Sequence, residues 1–147
     1  MKTPIIREIA LRNNYSFQYE DFVVATQNCL HLLLGRDGTR LRALKFSGTS
    51  FKYGAPNDEA RGGHPLFKYG SMFYGMYEVE NSPWIYEQMV SNRVHPSHSD
   101  SMFAGHRHFI ICLKDVTLEV TCRNFEEIEL DESELISLVK SKLEELG

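Results

Sequence analysis

The segment from His106 to Cys122 constrains the fold more than any other part of the chain. His108-Phe109-Ile110-Ile111-Cys112-Leu113 is uncharged and rich in β-branched and aromatic residues, and Val116-Thr117-Leu118-Glu119-Val120-Thr121 alternates with period two. The polar pair Lys114-Asp115 lies between them, so the simplest reading is a β-hairpin with a two-residue turn. That register sets Leu113 against Val116, Ile111 against Leu118 and Phe109 against Val120, an apolar face throughout. Side chains alternate between the two faces of a strand, so a slip of one residue would destroy the match.

The opposite face carries Cys112 against Thr117, Ile110 against Glu119, and His108 against Thr121. Glu119 and His108 are diagonal neighbours, roughly 7–8 Å apart at the backbone and within side-chain reach. If the strand starts early enough, His106 projects beside His108, and a His-x-His pair plus a carboxylate is a metal-ligating geometry. A buried Glu119 requires a histidine or arginine partner, because an unpaired buried charge is too costly.

The rest of the chain sets the frame. At 147 residues it is expected to form a single domain, residues 1–147, with an ordinary core. The net charge of −4 comes with scattered basic residues, which argues against a nucleic-acid partner. No apolar run approaches the ~20 residues of a membrane span. The N-terminal residues reach charge too early for a signal peptide. Cys29, Cys112 and Cys122 form no C-x-x-C pair, and the hairpin register separates Cys112 from Cys122. Reduced thiols and a cytoplasmic location are the expectation. One thiol is a candidate nucleophile, although a free cysteine more commonly packs as a small apolar residue.

In chain order, Thr3-Pro4 reads as a helix start, with Ile5, Ile6, Ile9 and Ala10 at helical spacing to about Leu11. Tyr15 to Leu34 fits either a helix or strands, with the balance toward strands, and Leu41–Phe46 is placed to pair back across Gly35-Arg36-Asp37-Gly38. Ser47-Gly48-Thr49 is a turn, and Ala55–Gly63 the longest loop. The glycines beside His64-Pro65 would let a ligand approach the backbone. Met72–Val79 is expected as a strand covered on both faces, within an aromatic stretch that includes Tyr74 and Trp84. Ser82-Pro83 starts a second helix to about Arg93, and Asp131 with Glu134 forms a capping box for a C-terminal helix. The expected class is therefore α+β, mostly antiparallel sheet, with a C-terminal hairpin at about 107–122 and two or three packed helices.

Two functional classes follow. The first is a ligand- or metal-binding domain. His95 and His98, in a serine-rich loop, would fold over the hairpin to join His106, His108 and Glu119 around a divalent metal, while His64, Tyr74 and Trp84 would line a small-molecule site. In a hydrolytic version the metal acidifies water and Glu119 or Asp100 acts as base. No spacing matches a strong metal or phosphate signature. The second class is a non-catalytic protein-interaction module. The succession of short strands resembles, in texture and without a diagnostic motif, that of many small uncharacterised bacterial proteins, some of them toxin-neutralising partners, and no functional residue is carried over from that resemblance. A homodimer through the C-terminal helix or a hairpin edge is compatible with either class.

Overall fold

In the computed structural model, which describes residues 2–18, 21–48 and 50–147, nine strands form two antiparallel sheets. The first sheet has the order β1 (Ile5–Glu8), β6 (Gly75–Glu80), β7 (Arg107–Cys112), β8 (Thr117–Cys122), β5 (Ser50–Gly54). The second has the order β2 (Phe22–Ala25), β3 (Cys29–Asp37), β4 (Arg40–Ser47), β9 (Asn124–Asp131). The helices are α1 (Pro83–Asn92) and α2 (Glu132–Glu145), with three short 3-10 turns at Asp58–Gly63, Phe67–Tyr69 and Asp100–Phe103. This is an α+β fold dominated by antiparallel sheet.

The sheets face one another across the main core. Leu30, Leu32, Leu44 and Phe46 of the second sheet meet Phe109, Ile111, Leu118 and Val120 of the first. Those four residues of the first sheet lie on the apolar side of the β7–β8 hairpin, whose register is the expected one: Phe109 opposite Val120, Ile111 opposite Leu118, His108 opposite Thr121. The other side of the hairpin is largely covered, too. Loop 55–72 lies over it at one end, where Leu66 and Met72 pack with Tyr77, Ile110 and Cys112. At the other end α1 approaches, with Gln88 hydrogen-bonded to Thr121 at 3.0 Å.

The caps behave as their sequences dictate. The Ser82 hydroxyl accepts from the Ile85 N–H at 3.1 Å. Asp131 and Glu134 form the reciprocal box ahead of α2. In the ambiguous stretch up to Leu34, the described residues form the strands β2 and β3, and β3 runs on through Gly35 to a tight turn at Gly38, where φ is +63°. Thr49 of the expected turn, and Tyr19 and Glu20, lie outside the described residues.

Three expectations change. Thr3–Leu11 is not helical: Ile5–Glu8 pairs with β6, Ile6 opposite Val79. A helix of that length has little stability of its own, whereas two adjacent isoleucines complete a sheet edge. The strand at 72–79 begins at Gly75 instead, so Phe73 (68% exposed) and Tyr74 sit on the surface rather than between layers. And β9 was not anticipated, because its glutamates dilute the strand pattern. One of them, Glu127, is held by the backbone N–H groups of Arg12 and Asn13 at 2.7 and 3.0 Å.

Candidate functional site

The polar end of the covered sheet face centres on Glu119. It stands in the middle of β8, cross-strand from Ile110 on β7 and from Lys52 on β5. Each carboxylate oxygen has its own imidazole. His108 Nε2 lies 2.9 Å from Oε1, and His64 Nε2 lies 2.9 Å from Oε2. His108 arrives from the adjacent strand, as the hairpin register requires. His64 arrives from a loop more than fifty positions away in the chain.

Arg61 puts His64 in place. Its guanidinium is buried and donates to the carbonyls of Leu113 and Val116, the latter at 3.1 Å, and to the Thr117 hydroxyl. Thr117 in turn donates to the Pro56 carbonyl at 2.7 Å. The loop is thus tied to the hairpin turn ahead of the 3-10 turn at Asp58–Gly63, through Pro56, and from within it, through Arg61, and His64 is the C-terminal flanking residue of that turn.

The hydrogen bonds also fix the protons. The Leu66 N–H donates to His64 Nδ1 at 3.1 Å, so that nitrogen is an acceptor and the ring proton sits on Nε2, aimed at Glu119. On His108, Nδ1 contacts the Ser82 hydroxyl at 2.7 Å. The ionised Glu119 oxygen on the other side of the ring can only accept, so His108 Nε2 carries a proton as well. The result is a continuous chain, Ser82 to His108 to Glu119 to His64. The His108 side chain is 1% exposed and that of Glu119 13%. Burial acts to raise the Glu119 carboxyl, but the hydrogen bonds from His108 and His64 outweigh it. They hold the group down at about 2, against an ordinary value of 4.5.

This centre forms the floor of an open cleft of about 560 Å³, walled by Pro56, Pro65 and Leu66 on the loop and by Pro83, Trp84 and Glu87 on α1. Trp84 stands edge-on to His108, with ring centroids 5.3 Å apart. Lys52 reaches across so that its Nζ lies 4.2 Å from the centre of the Trp84 ring.

Of the residues expected at a small-molecule site, His64 and Trp84 line this cleft, and Tyr74 does not: its hydroxyl donates to Asp58 on another part of the surface. Of the five expected around a metal, the structure brings His108 and Glu119 together and leaves three elsewhere. His106 precedes β7 rather than belonging to it, and packs at a tilt against Phe103 with ring centroids 4.8 Å apart. His98 Nε2 contacts Asp100 at 2.6 Å. His95 accepts from the Ser97 N–H at 3.0 Å on an exposed loop. That loop folds beside α1 and not over Glu119, because Asn92 contacts His98 and Arg93 pairs with Asp100. Among the described residues no three His, Cys, Asp or Glu side chains form a metal-holding group.

The thiols on either side of the hairpin are unsuited to nucleophilic work. Burial lifts both Cys112 and Cys122 to about 11. Sequence reasoning missed Lys52, whose place opposite Glu119 depends on the non-local β5–β8 pairing, and it saw Ser82 only as a helix cap. The chain matches no protein-family model, no curated protein and no solved structure. The site therefore rests on its own geometry.

Proposed function

We propose that the protein is a ligand-binding domain whose site is the cleft between loop 55–66 and α1, with Glu119 as its fixed negative pole. One observation carries this reading: a carboxylate clamped by two imidazoles, and so kept ionised, lies at the floor of an open cleft large enough for a small molecule. A carboxyl near 2 is a poor proton acceptor at neutral pH, which favours recognition over general-base catalysis. Each carboxylate oxygen accepts one imidazole proton and keeps capacity for another donor, which a ligand can supply. The test is ligand-observed NMR with a mixed metabolite collection on the wild type and on Glu119→Gln. Ligands that bind the first and not the second support the reading. A collection that binds neither, or both alike, overturns it.

A protein-interaction module is the second reading, favoured by α2. Ile136, Val139, Leu143 and Leu146 are all exposed along that helix, Leu146 at 82%. An apolar stripe of this kind on a surface helix is a feature of docking faces.

A further inference from the structure

We propose that the cleft takes an organic cation, an alkylated ammonium or a guanidinium, on the face of Trp84, and that Lys52 occupies that face when the ligand is away. The inference rests on the reading of the cleft as a ligand site and names its ligand class.

The placement of Lys52 is the first argument. It is an exposed lysine directly across the strand pair from Glu119, yet its ammonium lies over the Trp84 ring. An aromatic face attracts a cation through its quadrupole, and tryptophan does so most strongly. The protein already holds one cation there, on a flexible tether that can swing into solvent.

The surroundings are the second argument. Lys52 is the only lysine or arginine lining the cleft among the described residues, whereas Glu119 and Glu87 both line it. Arg61, the nearest buried guanidinium in the same loop, is turned away and used up on the hairpin carbonyls. With Lys52 displaced, the cleft offers one aromatic plane, two carboxylates and apolar walls from Pro56, Pro65 and Leu66. That set matches a cation carrying carbon substituents. An anion would meet the ionised Glu119 at close range.

The sole tryptophan of the chain is Trp84, so fluorescence excited selectively at tryptophan, away from the tyrosines, reports on this ring alone. The probes are tetramethylammonium, choline, arginine amide and a glycine-flanked arginine peptide, against the uncharged carbon isostere of choline and against glutarate. Saturable changes with the cations and none with the isostere or glutarate are expected. Lys52→Gln removes the internal competitor at an exposed position and is expected to tighten cation binding about two- to fivefold. Glu87→Gln is expected to weaken it. Binding of the free cations points to a small molecule, and binding of the arginine peptide alone points to a basic side chain of a polypeptide; both support the class. Saturation by glutarate or the isostere without the cations leaves the ligand-site reading standing and overturns the cation. Unchanged or weaker cation binding in Lys52→Gln also overturns it. Silence from every probe, together with no ligand in the metabolite collection, removes both.

Discussion

His64 and Glu119, 55 positions apart in the sequence, meet at 2.9 Å, and that single contact joins the longest loop to the floor of the cleft. Because a Leu66 N–H holds the far side of the His64 ring, the contact has a defined direction: imidazole to carboxylate. Most of what the cleft can do follows from the permanent negative charge this leaves on Glu119.

Acid should reveal that charge. The folded-state carboxyl of Glu119 lies at about 2, below its ordinary 4.5. A depressed carboxyl stabilises the fold fully above its unfolded value, and the contribution is lost as pH falls toward the folded one. Stability is therefore expected to decline from about pH 4.5 to about pH 2. In Glu119→Gln this decline should be shallower, on a baseline about 1–3 kcal/mol lower at neutral pH because one of the two imidazole donors would face the amide NH2 instead of an acceptor. Urea unfolding across that pH range measures both. Equal acid slopes in the two proteins would remove Glu119 as the source.

The two histidines should differ in what they support. His108 is buried against Trp84 and Ser82, so His108→Ala leaves a cavity and an unpaired carboxylate oxygen together. A loss of about 2–5 kcal/mol of global stability is expected. His64→Ala also strips one oxygen of the Glu119 carboxylate of its partner, but at the open side of the cleft, so it should cost about 1–3 kcal/mol globally while amide exchange rises selectively across residues 55–66. Hydrogen exchange and denaturation together separate the two effects. Matching global losses with no local change in the loop would show that the loop does not depend on His64.

The hairpin and its register were legible because two apolar faces fix a strand pair locally, and the same pairing placed His108 beside Glu119. A buried Glu119 was expected to need a histidine or arginine partner, and it has two histidines. What local pattern does not encode is which distant segment covers the polar side. His64 reaches Glu119 only because Arg61 binds the carbonyls of the hairpin turn, a contact between a loop and a turn with no periodicity to read. The histidines at 95, 98 and 106 were grouped with the hairpin because they are close in sequence. Their hydrogen bonds and ring contacts instead go to Asn92, Ser97, Asp100 and Phe103, near neighbours of their own. The N-terminal strand was missed for a related reason, since Ile5–Glu8 is a strand only because β6 has a free edge there.

Thiol reactivity is a simple check on the layers. Cys112 and Cys122 are buried on opposite sides of the hairpin, and burial lifts both to about 11. Cys29, at the start of β3, is partly exposed. A thiolate-specific reagent at neutral pH should modify Cys29 first and reach the other two only on unfolding. Mass mapping of the modified peptides gives the order. Early labelling of Cys112 would mean that loop 55–72 opens on the labelling timescale.

Added metal should do little at the Glu119 centre. A histidine binds metal through a ring nitrogen without a proton, and both nitrogens facing Glu119 carry theirs, with Nδ1 of each ring already engaged. Zinc, manganese or nickel would have to displace those protons and free the carboxylate. The unfolding midpoint of untagged protein is expected to be the same with and without each ion. A midpoint that rises with metal, and ceases to rise in His108→Ala, would establish a metal centre in place of the hydrogen-bonded clamp.

The exposed face of α2 gives the last prediction. Leu135 packs on the outer side of the second sheet with Leu33, Leu41 and Leu130, while Leu143 and Leu146, further along the helix, remain exposed. An apolar strip left on a surface helix drives association in proportion to the area it can bury. Light scattering over a range of protein concentrations is therefore expected to show self-association, and Leu143→Glu to suppress it. Because Leu143 is 60% exposed, the same substitution should change the unfolding free energy by about 0.5 kcal/mol or less. If Leu143→Glu unfolds the protein instead, the helix end is packed more tightly than its exposure indicates. If the wild type stays monomeric at every concentration, the strip is not a self-association surface.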